Sequence, residues 1–527
     1  MSEEVDTPSV DPAPRELVEG LASVDEDATL YEQSLREKEG TVYALVRVSG
    51  TKHLAVVGSN PPGFEVGTSV EEGGETLALC PCTPENAERL RDQFPWAAPR
   101  PLGRTTALGC GDRLGLATPG HIRACEEAGV VPVLAQQSIR EMERTGRSPQ
   151  EVLDDVTWAV FQEGFTAGYG ADADHLKTPA DVDACLEAGY TMYTIDPSEH
   201  VDDEADHLEA AALADRFEAL PWDELGTTPE ACLDRYVGAP VSVDGAERTL
   251  QVEFDETALQ RAAVKYGRAL AHTRRMAEYL SRQYDRTRPG EDYDLEMSVD
   301  ETATPTRAHE HYFVAAELNR LGVEVTSLAP RFVGDFEKGI DYVGDLDAFE
   351  EAFRDHATIA RAEGGYKLSI HSGSDKFSIY PILGRHAGDH LHLKTAGTSF
   401  LEALRIPARH APTLFRDMVD FAFRRFEDDR ATYHVTTDLD AIPRPSKVAD
   451  ADLEETYLED DDGRQLLHIT YGSLLSATRE GRPRFKDRFL TLLDDHEEEH
   501  YQALIAHFRD HIDGVGDLGG RLPPEGS

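Results

Sequence analysis

From residue 105 onward, short apolar runs alternate with longer stretches in which apolar residues recur every three or four positions. The short runs predict buried β-strands, and the longer stretches predict helices, several of which begin at Pro and end at Gly. The eight strand-like runs are 105–113, 129–137, 170–177, 190–200, 293–302, 323–331, 366–376 and 389–399. The helical patterns are 119–129, 149–168, 179–189, 307–322 and 347–364.

An alternation of strands and helices predicts a parallel sheet, because neighbouring parallel strands need a crossover connection. Eight repeats predict an α/β fold of the (β/α)8 type, a TIM-like barrel. A doubly wound open sheet is the alternative. Two later strand-like runs, 433–437 and 466–472, leave open which segment is the eighth barrel strand.

The catalytic barrel is predicted to cover residues 101–475, with a C-terminal helical segment at 476–527. Residues 1–100 are interpreted as an acidic arm, flexible to about residue 38, followed by a small α+β unit. The spacing of the repeats breaks once, at about 200–292, where an insertion contains a long helical pattern at 255–285. An insertion after the fourth strand is expected at the carboxyl end of the barrel, where it could cover the site as a lid.

The charge balance excludes one broad class of function. The chain has 52 basic and 100 acidic residues, a net charge of −48, and binding to a phosphate backbone needs basic patches. A nucleic-acid partner is therefore not expected. The 40% hydrophobic content, spread along the chain, predicts a folded protein. No apolar run reaches 18 residues and no basic, apolar leader is present, so a cytoplasmic protein without a membrane partner is expected.

Lysine is rare in this chain, with 10 Lys against 42 Arg. An acidic, lysine-poor, folded chain is typical of a halophilic cytoplasm, where salt shortens the Debye length to about 3 Å. Four of the ten lysines, at 177, 338, 376 and 394, nevertheless fall in strand-end segments. The pKa of a lysine ammonium is tunable in a way that the pKa of Arg is not, so these four are candidates for chemistry.

Polar, reactive residues follow strand after strand, and parallel strands bring such ends together on one rim, where barrel active sites lie. The predicted metal ligands among them are His175, Glu301 and His371, with His392 as a fourth. Histidine and carboxylate ligands without cysteine suit a divalent ion such as Mn, Co, Ni or Zn. The cofactor predicted from these residues is therefore one divalent metal ion.

The run GCGDRLG at 109–115 imitates a dinucleotide-binding fingerprint, because its glycines precede a helical pattern. Its spacing is not G-x-G-x-x-G, and the following strand-like run ends in two glutamines instead of the acidic residue that binds a ribose. A nicotinamide site is therefore not expected in this segment.

Eight motifs follow one another in order between residues 105 and 475: GCGDRLGLATPGH, AQQSIREMERTGR, GADADHLKT, YTIDPSEHVDD, SVDETATPT, LAPRFVGDFEKGIDYVGD, SIHSGSDKFSIYPI and LKTAGTSFLEALR. Together they resemble the tagaturonate epimerase family. The resemblance implies a metal-dependent barrel enzyme that interconverts D-tagaturonate and D-fructuronate, keto-acid sugars of uronate catabolism. The acidic N-terminal arm lies outside it.

The implied reaction determines which groups the site needs. The inverted carbon is β to the ketone, so simple enolisation does not make its C–H bond acidic. Retro-aldol cleavage and re-formation is favoured over transient oxidation by a nicotinamide, with a metal as Lewis acid and an acid/base pair at the hydroxyl. The predicted catalytic residues are Asp174 and Lys177, as that pair, with Asp112 and Lys376; the predicted substrate contacts are Arg113 or Lys394 at the carboxylate, with Gln136, Gln137 and Arg331.

Two other functions stay open at this point. One is a metal-dependent ketose isomerase or aldolase that acts on a related sugar acid, which analysis of the products would separate from an epimerase. The other is a sugar-acid binding protein without turnover, against which the large number of titratable strand-end residues argues. The expected partner is in each case a small sugar acid, and the oligomeric state is not determined.

The net charge predicts that stability depends on salt. The melting temperature should rise with KCl up to molar concentrations, because screening weakens the repulsion among carboxylates. Thermal unfolding followed by circular dichroism across a KCl series measures this. A melting temperature that stays flat between low and high salt would contradict the halophilic interpretation.

Overall fold

The computed structural model describes residue 21, residues 24–58, 63–72, 75–245, 248–395 and 397–516, and residue 518. Most of the predicted flexible arm, residues 1–20 with 22 and 23, lies outside these residues. The rest of the arm is ordered, contrary to prediction: Leu30 pairs with Val46, and Arg36 pairs with Tyr43, across an antiparallel sheet. These short strands were not predicted because each depends on a neighbouring strand for its hydrogen bonds.

The N-terminal sheet is antiparallel and contains a hairpin, which the two β-rich runs around Ser49-Gly50 in residues 41–57 predict. Ser49 and Gly50 form its turn with φ angles of 50° and 78°, the left-handed conformation that a two-residue hairpin loop requires. One compact unit consists of the residues up to Ala98 together with Asp154–Gly168, and a second comprises Pro99–Leu153 and Tyr169–Ser527. The elements are β1 (Thr29–Leu30), β2 (Arg36–Lys38), β3 (Thr41–Val48), β4 (Thr51–Gly58), β5 (Thr68–Glu72), β6 (Glu75–Pro81) and α1 (Pro84–Gln93).

Eight parallel strands close into a barrel, one in each of the eight predicted segments, so the (β/α)8 prediction is confirmed and the open sheet is excluded. The strands are β7 (Ala107–Gly109), β8 (Pro132–Ser138), β9 (Gly170–Leu176), β10 (Met192–Ile195), β13 (Asp294–Ser298), β14 (Ser327–Ala329), β15 (Lys367–Ile370) and β16 (Leu391–Lys394). They pair around the barrel in that order, and β16 closes it against β7.

Helices follow the barrel strands and pack outside them. Within the described residues, no helix is both long and apolar enough to cross a membrane. The helices from α2 onward are α2 (Thr118–Ala128), α3 (Ile139–Thr145), α4 (Pro149–Glu163), α5 (Pro179–Ala188), α6 (Ala210–Glu218), α7 (Pro229–Tyr236), α8 (Glu256–Thr287), α9 (Ala308–Leu321), α10 (Leu346–Ala362), α11 (Tyr380–Ala387), α12 (Thr398–His410), α13 (Pro412–Asp429), α14 (Asp461–Ile469), α15 (Tyr471–Ser476), α16 (Lys486–Asp495) and α17 (Glu497–Val515).

The two late strand-like runs are not barrel strands. Residues 433–437 form no strand, and 466–472 lie in α14 and α15. The carboxylate of Asp460 accepts a hydrogen bond from the Gly463 amide and so caps α14. The apolar residues of this run pack among α12 and α13 in a helical cluster, and that packing overrides their β-type composition.

The insertion forms α6, α7, a hairpin of β11 (Val241–Asp244) with β12 (Thr249–Val252), and the predicted long helix α8. The apolar period of the helical pattern predicts an inner stripe of six residues on α8. Five of them are buried, and the sixth, Ala277, is half-buried; the five are Leu259, Ala263, Tyr266, Leu270 and Thr273. Lys265 in α8 is 1% exposed and binds Asp206 and Glu310 at 3.2 and 3.4 Å. The insertion therefore packs along the barrel wall through α8.

Candidate active site

The interior of the barrel is charged at its carboxyl end. Alternate residues of a strand point inward, which places Asp172 and Asp174 of β9, Glu296 of β13 and Lys394 of β16 inside. The Lys394 ammonium lies 2.8 Å from a carboxylate oxygen of Asp172, 2.8 Å from one of Asp174 and 2.9 Å from one of Glu296. It also donates to the Thr194 hydroxyl at 3.1 Å. One buried cation thus holds three buried carboxylates together.

These charges shift one another's pKa values. Burial alone would lower the pKa of Lys394, but Asp172, Asp174 and Glu296 raise it well above the ordinary range. Burial raises the pKa of Asp172 to about 6 despite Lys394. The pKa values of Asp174 and Glu296 are lowered, because Lys394 and nearby histidines outweigh the opposing effect of burial.

Two imidazole rings meet directly above this cluster. His371 follows β15 and His175 lies at the end of β9, and the Nδ1 of His371 is 3.2 Å from the Nε2 of His175. The other nitrogen of His371 is 2.7 Å from a Glu296 oxygen, and the Nδ1 of His175 is 3.1 Å from Asp196. An Asp300 oxygen lies 3.2 Å from His371 as well. Strands on opposite sides of the barrel therefore contribute the two rings.

The surroundings of the two rings favour positive charge. Burial alone would lower both pKa values, but neighbouring carboxylates, Asp174 foremost, raise the pKa of His175 to about 10. Asp300 is the foremost carboxylate at His371 and raises its pKa to about 9. Donor atoms of Asp174, His175 and His371 all lie within 4.8 Å of one another, and so do those of His175, Asp196 and Glu301. Both groups have the donor types and spacing to hold a metal ion.

The backbone is strained at this rim. His175, Ser372 and Asp375 have φ angles of 56°, 54° and 59°, a left-handed conformation that costs a residue with a Cβ about 1–2 kcal/mol. Such strain persists where the surrounding structure holds a side chain in a particular position. Two of these three residues belong to the histidine pair or adjoin it: His175 is a member, and Ser372 directly follows His371.

A cavity of about 370 Å³ opens over the histidine pair. The loop after β14, from Pro330 to Lys338, forms much of its wall, and Tyr433 and His434 complete it. Within the described residues, none from the insertion lines it, so the predicted lid at 200–292 is not found. The loop after β14 forms the wall at this end of the barrel, and the insertion packs on the side of the barrel through α8.

The comparisons with known proteins agree with this architecture. A family model described as tagaturonate epimerase matches residues 31–515. The chain belongs to the tagaturonate epimerase family. The tagaturonate/fructuronate epimerase of Thermotoga maritima is 43% identical over 486 residues, which cover 92% of this chain and 96% of that protein.

Solved structures of the tagaturonate epimerase family superpose on nearly the whole chain. The glycerol-complexed crystal structure of fructuronate-tagaturonate epimerase UxaE from Cohnella laeviribosi matches with a TM-score of 0.87 and 39% identity, covering 96% of this chain and 100% of that chain. The native crystal structure of the same enzyme matches with a TM-score of 0.86 over the same shares.

Most of the site residues that were predicted from the strand ends line the cavity. They come from seven different barrel strands or the loops that follow them, as expected where parallel strands end on one rim. The predicted residues in the cavity wall are Arg113, Gln136, Asp174, His175, Glu301, Arg331, His371 and Lys394.

Two predicted catalytic residues of this epimerase have structural contacts instead. Asp112 accepts hydrogen bonds from the backbone amides of Leu114, Gly115 and Ala117 and so shapes the turn before α2. Lys376 is buried and donates to backbone carbonyls in its own loop and in the loop after β14; burial lowers its pKa to about 8. The sequence placed both correctly after a strand, but the turns that follow direct their side chains away from the cavity.

Three further predicted residues also lie outside the cavity. The ammonium of Lys177 points along the outer rim and pairs with Asp196 and Glu199 at 3.6 and 3.3 Å. Gln137 faces outward because it follows the inward Gln136 on β8. His392 is two residues before Lys394 on β16, about 6–7 Å deeper in the barrel. Its ring is 0% exposed and does not line the cavity, so it is not positioned as the fourth ligand.

Sequence reasoning missed two carboxylates of the site. Glu296 lies in the middle of a fully buried strand, where a charged residue signals an interior partner. Glu141 forms a capping box with Ser138 at the start of α3, and it also binds Arg113 at 2.5 Å. The Arg113 guanidinium lies over the ring of Tyr471 at 3.6 Å, and its Nε and Nη2 atoms both donate to Glu141, while its buried Nη1 has no hydrogen-bond partner among the described residues.

The Lys394 cluster predicts a large effect of one substitution in this epimerase. Lys394→Met should lower the free energy of unfolding by about 3–5 kcal/mol, because it leaves three buried carboxylates without their cation. The loss should shrink as the pH falls, because protonated carboxylic acids no longer repel one another. Urea unfolding at several pH values measures both effects.

Lys177→Met is the matched control for this substitution. It also removes an ammonium from two carboxylates, but that side chain is 37% exposed, and surface ion pairs contribute less than about 1 kcal/mol. Equal losses in the two variants would show that the interior cluster is not the source of stability.

Proposed function

We propose that this protein interconverts D-tagaturonate and D-fructuronate by a metal-dependent cleavage and re-formation of a C–C bond. The single observation that carries the proposal is the pair of histidines, ringed by carboxylates, at the floor of the cavity of a member of this family. The protein is further proposed to be cytoplasmic and halophilic, on the strength of its acidic, lysine-poor composition.

A divalent ion of the Mn, Co, Ni or Zn type fits the residues present. Two imidazole nitrogens face each other at 3.2 Å in surroundings that favour positive charge. His175 belongs to both groups of closely spaced donors, so it would connect the other two predicted ligands, His371 and Glu301, at one ion. When bound, the ion would act as a Lewis acid that stabilises negative charge developing on the substrate oxygens.

The reaction requires a proton to leave and return at the hydroxyl of the inverted carbon. We assign this transfer to Asp174, whose carboxylate lines the cavity and is held in place by Lys394 at 2.8 Å. Gln136 donates to Asp174 at 3.4 Å and would help orient it. Lys177 no longer serves as the partner in this transfer, because its ammonium lies outside the cavity wall.

Inversion follows from cleavage of the bond between the carbons α and β to the ketone. Loss of the hydroxyl proton to Asp174 turns the β carbon into an aldehyde, and the bonding electrons stay on the ketone fragment. Rotation of the aldehyde by half a turn presents its other face, and bond formation with return of the proton gives the epimer. The C–H bond at the inverted carbon stays intact throughout.

Removal of the metal tests the first part of this proposal. Chelation should abolish turnover of D-tagaturonate, and Mn, Co, Ni or Zn should restore it. His371→Ala should lose bound metal and activity together while thermal unfolding still shows a folded protein. Full activity in a metal-free preparation would overturn metal dependence.

Two further variants separate the proposed roles of the carboxylates. Glu301→Gln should lower the bound metal per chain, whereas Asp174→Asn should keep the metal and lose turnover by about 10²-fold or more. Metal analysis alongside product analysis measures both. Loss of metal in Asp174→Asn with retention in Glu301→Gln would exchange the two assignments.

An isotope experiment tests which bond of the substrate breaks during the reaction. Substrate deuterated at the inverted carbon should react without a primary isotope effect, and reaction in deuterated water should place no label there. Transient oxidation or deprotonation at that carbon would break the C–H bond and give a primary effect. A primary isotope effect, or a stoichiometric nicotinamide in the purified protein, would contradict the retro-aldol route.

A further inference from the structure

The cavity must bind an anion although its wall is rich in carboxylates. A keto-acid substrate carries its own carboxylate, which like charges in the wall would repel. The binding of a sugar acid therefore needs positive charge that no protein carboxylate already neutralises. The carboxylates in the wall are Glu141, Asp174, Asp300, Glu301, Asp335 and Glu337.

Three of the five lysine and arginine side chains in the wall are already paired. Arg113 binds Glu141 at 2.5 Å, and Arg140 binds Glu301 at 2.7 Å. Lys394 is held by its three interior carboxylates. These cations offset charges of the protein itself, and so they contribute little net attraction for a substrate carboxylate.

The remaining two are Arg331 and Lys338, both on the loop after β14. Among the described residues, neither has a carboxylate oxygen within 4.0 Å of its charged nitrogen atoms. Arg331 was expected from the sequence to touch the substrate, and its buried Nε has no hydrogen-bond partner among those residues. Lys338 stands in the same sequence segment without an assigned role.

Lys338 is fixed beside the reaction centre. Its ammonium donates to the hydroxyl of Ser372 at 2.5 Å, and Ser372 directly follows His371. The left-handed backbone of Ser372, with φ of 54°, puts that hydroxyl in the cavity wall. An ammonium has three N–H donors, so this contact leaves donors for a ligand. Burial lowers the pKa of Lys338, and Glu141, Glu301 and Asp300 oppose that shift. Because no carboxylate oxygen of the described residues lies within 4.0 Å of the ammonium, an incoming carboxylate would be its first direct anionic partner.

We propose that Lys338, held by Ser372, binds the carboxylate of the substrate and makes the site select sugar acids over neutral ketoses. The identity of the substrate rests on the proposed function above. In the substrate, the carboxylate is two bonds from the inverted carbon, so an ammonium anchored next to His371 lies at the right end of the cavity for this contact. Lys338, the one among the four strand-end lysines to which the sequence gives no specific role, is thereby a specificity-determining residue.

The test compares a charged and a neutral probe of nearly the same shape. D-glycerate has the carboxylate and adjacent hydroxyl of the acid end of the substrate, and glycerol lacks the carboxylate. Calorimetric titration of the metal-loaded protein at one fixed molar KCl concentration gives both dissociation constants. Lys338→Met should weaken D-glycerate binding by about 10- to 100-fold, the range of a charged hydrogen bond, and leave glycerol binding unchanged.

Kinetics give a second readout. Lys338→Met should raise the KM for D-tagaturonate by a similar factor with a smaller change in kcat, and Lys338→Arg should recover part of the loss because it keeps the charge. Lys447→Met, at an exposed lysine far along the chain, is the matched control and should change neither probe. Arg331→Met is measured with the same two probes, because Arg331 is the other cation of the wall without a carboxylate partner among the described residues.

Each outcome decides the proposal. Equal weakening of D-glycerate and glycerol in Lys338→Met would show a merely structural role and overturn it. Discrimination that is lost only in Arg331→Met would assign the carboxylate to Arg331 instead. If the unsubstituted protein bound D-glycerate through Lys338 but did not turn over D-tagaturonate, the proposed function would fail while this assignment stood.

Discussion

The ammonium of Lys394, in the middle of three carboxylates, is the interaction on which the rest of the site depends. Asp172, Asp174 and Glu296 could not share the barrel interior as anions without it, because their mutual repulsion in a poorly solvated space would be large. Its position on β16 fixes carboxylates from β9 and β13 at 2.8–2.9 Å. The barrel closes around this charge cluster.

The histidine pair follows from the same cluster. One carboxylate oxygen of Glu296 contacts the Lys394 ammonium and also lies 2.7 Å from the Nε2 of His371. Glu296, fixed by Lys394, therefore orients the His371 ring. His175 is oriented from the outside by Asp196 at 3.1 Å. Carboxylates therefore hold the two imidazole rings from both sides and stabilise a positive charge on them. A preorganised floor of this kind can stabilise charge in a reaction without moving.

The cations of the cavity divide into two kinds. Arg113, Arg140 and Lys394 neutralise carboxylates of the protein and so build the wall, while Lys338 and Arg331 have no such partner among the described residues. In a chain with a net charge of −48, this division matters, because the average field repels an anionic substrate. Local unpaired cations are the means by which an acidic protein can still recognise a sugar acid.

The sequence by itself determined the architecture, because local patterns decide it. All eight barrel strands lie in predicted segments, since apolar runs separated by helical periodicity leave few other arrangements. Strand ends also revealed His175, His371 and Asp174, because parallel strands must bring their carboxyl ends to one rim. The resemblance to the tagaturonate epimerase family rested on motifs that are local as well.

Only the tertiary structure decided which strand-end side chains reach the cavity. Asp112 and Lys376 bind backbone groups, because the turns in which they lie direct their side chains away from the cavity. Gln137 faces away from it because a shift of one residue along a strand reverses the direction of the side chain. Glu296 and Lys338 acquire their roles from partners more than thirty residues away, Lys394 and Ser372. A carboxylate within a strand and a scarce lysine indicate in the sequence that a partner exists, but only the fold decides which distant residue that partner is.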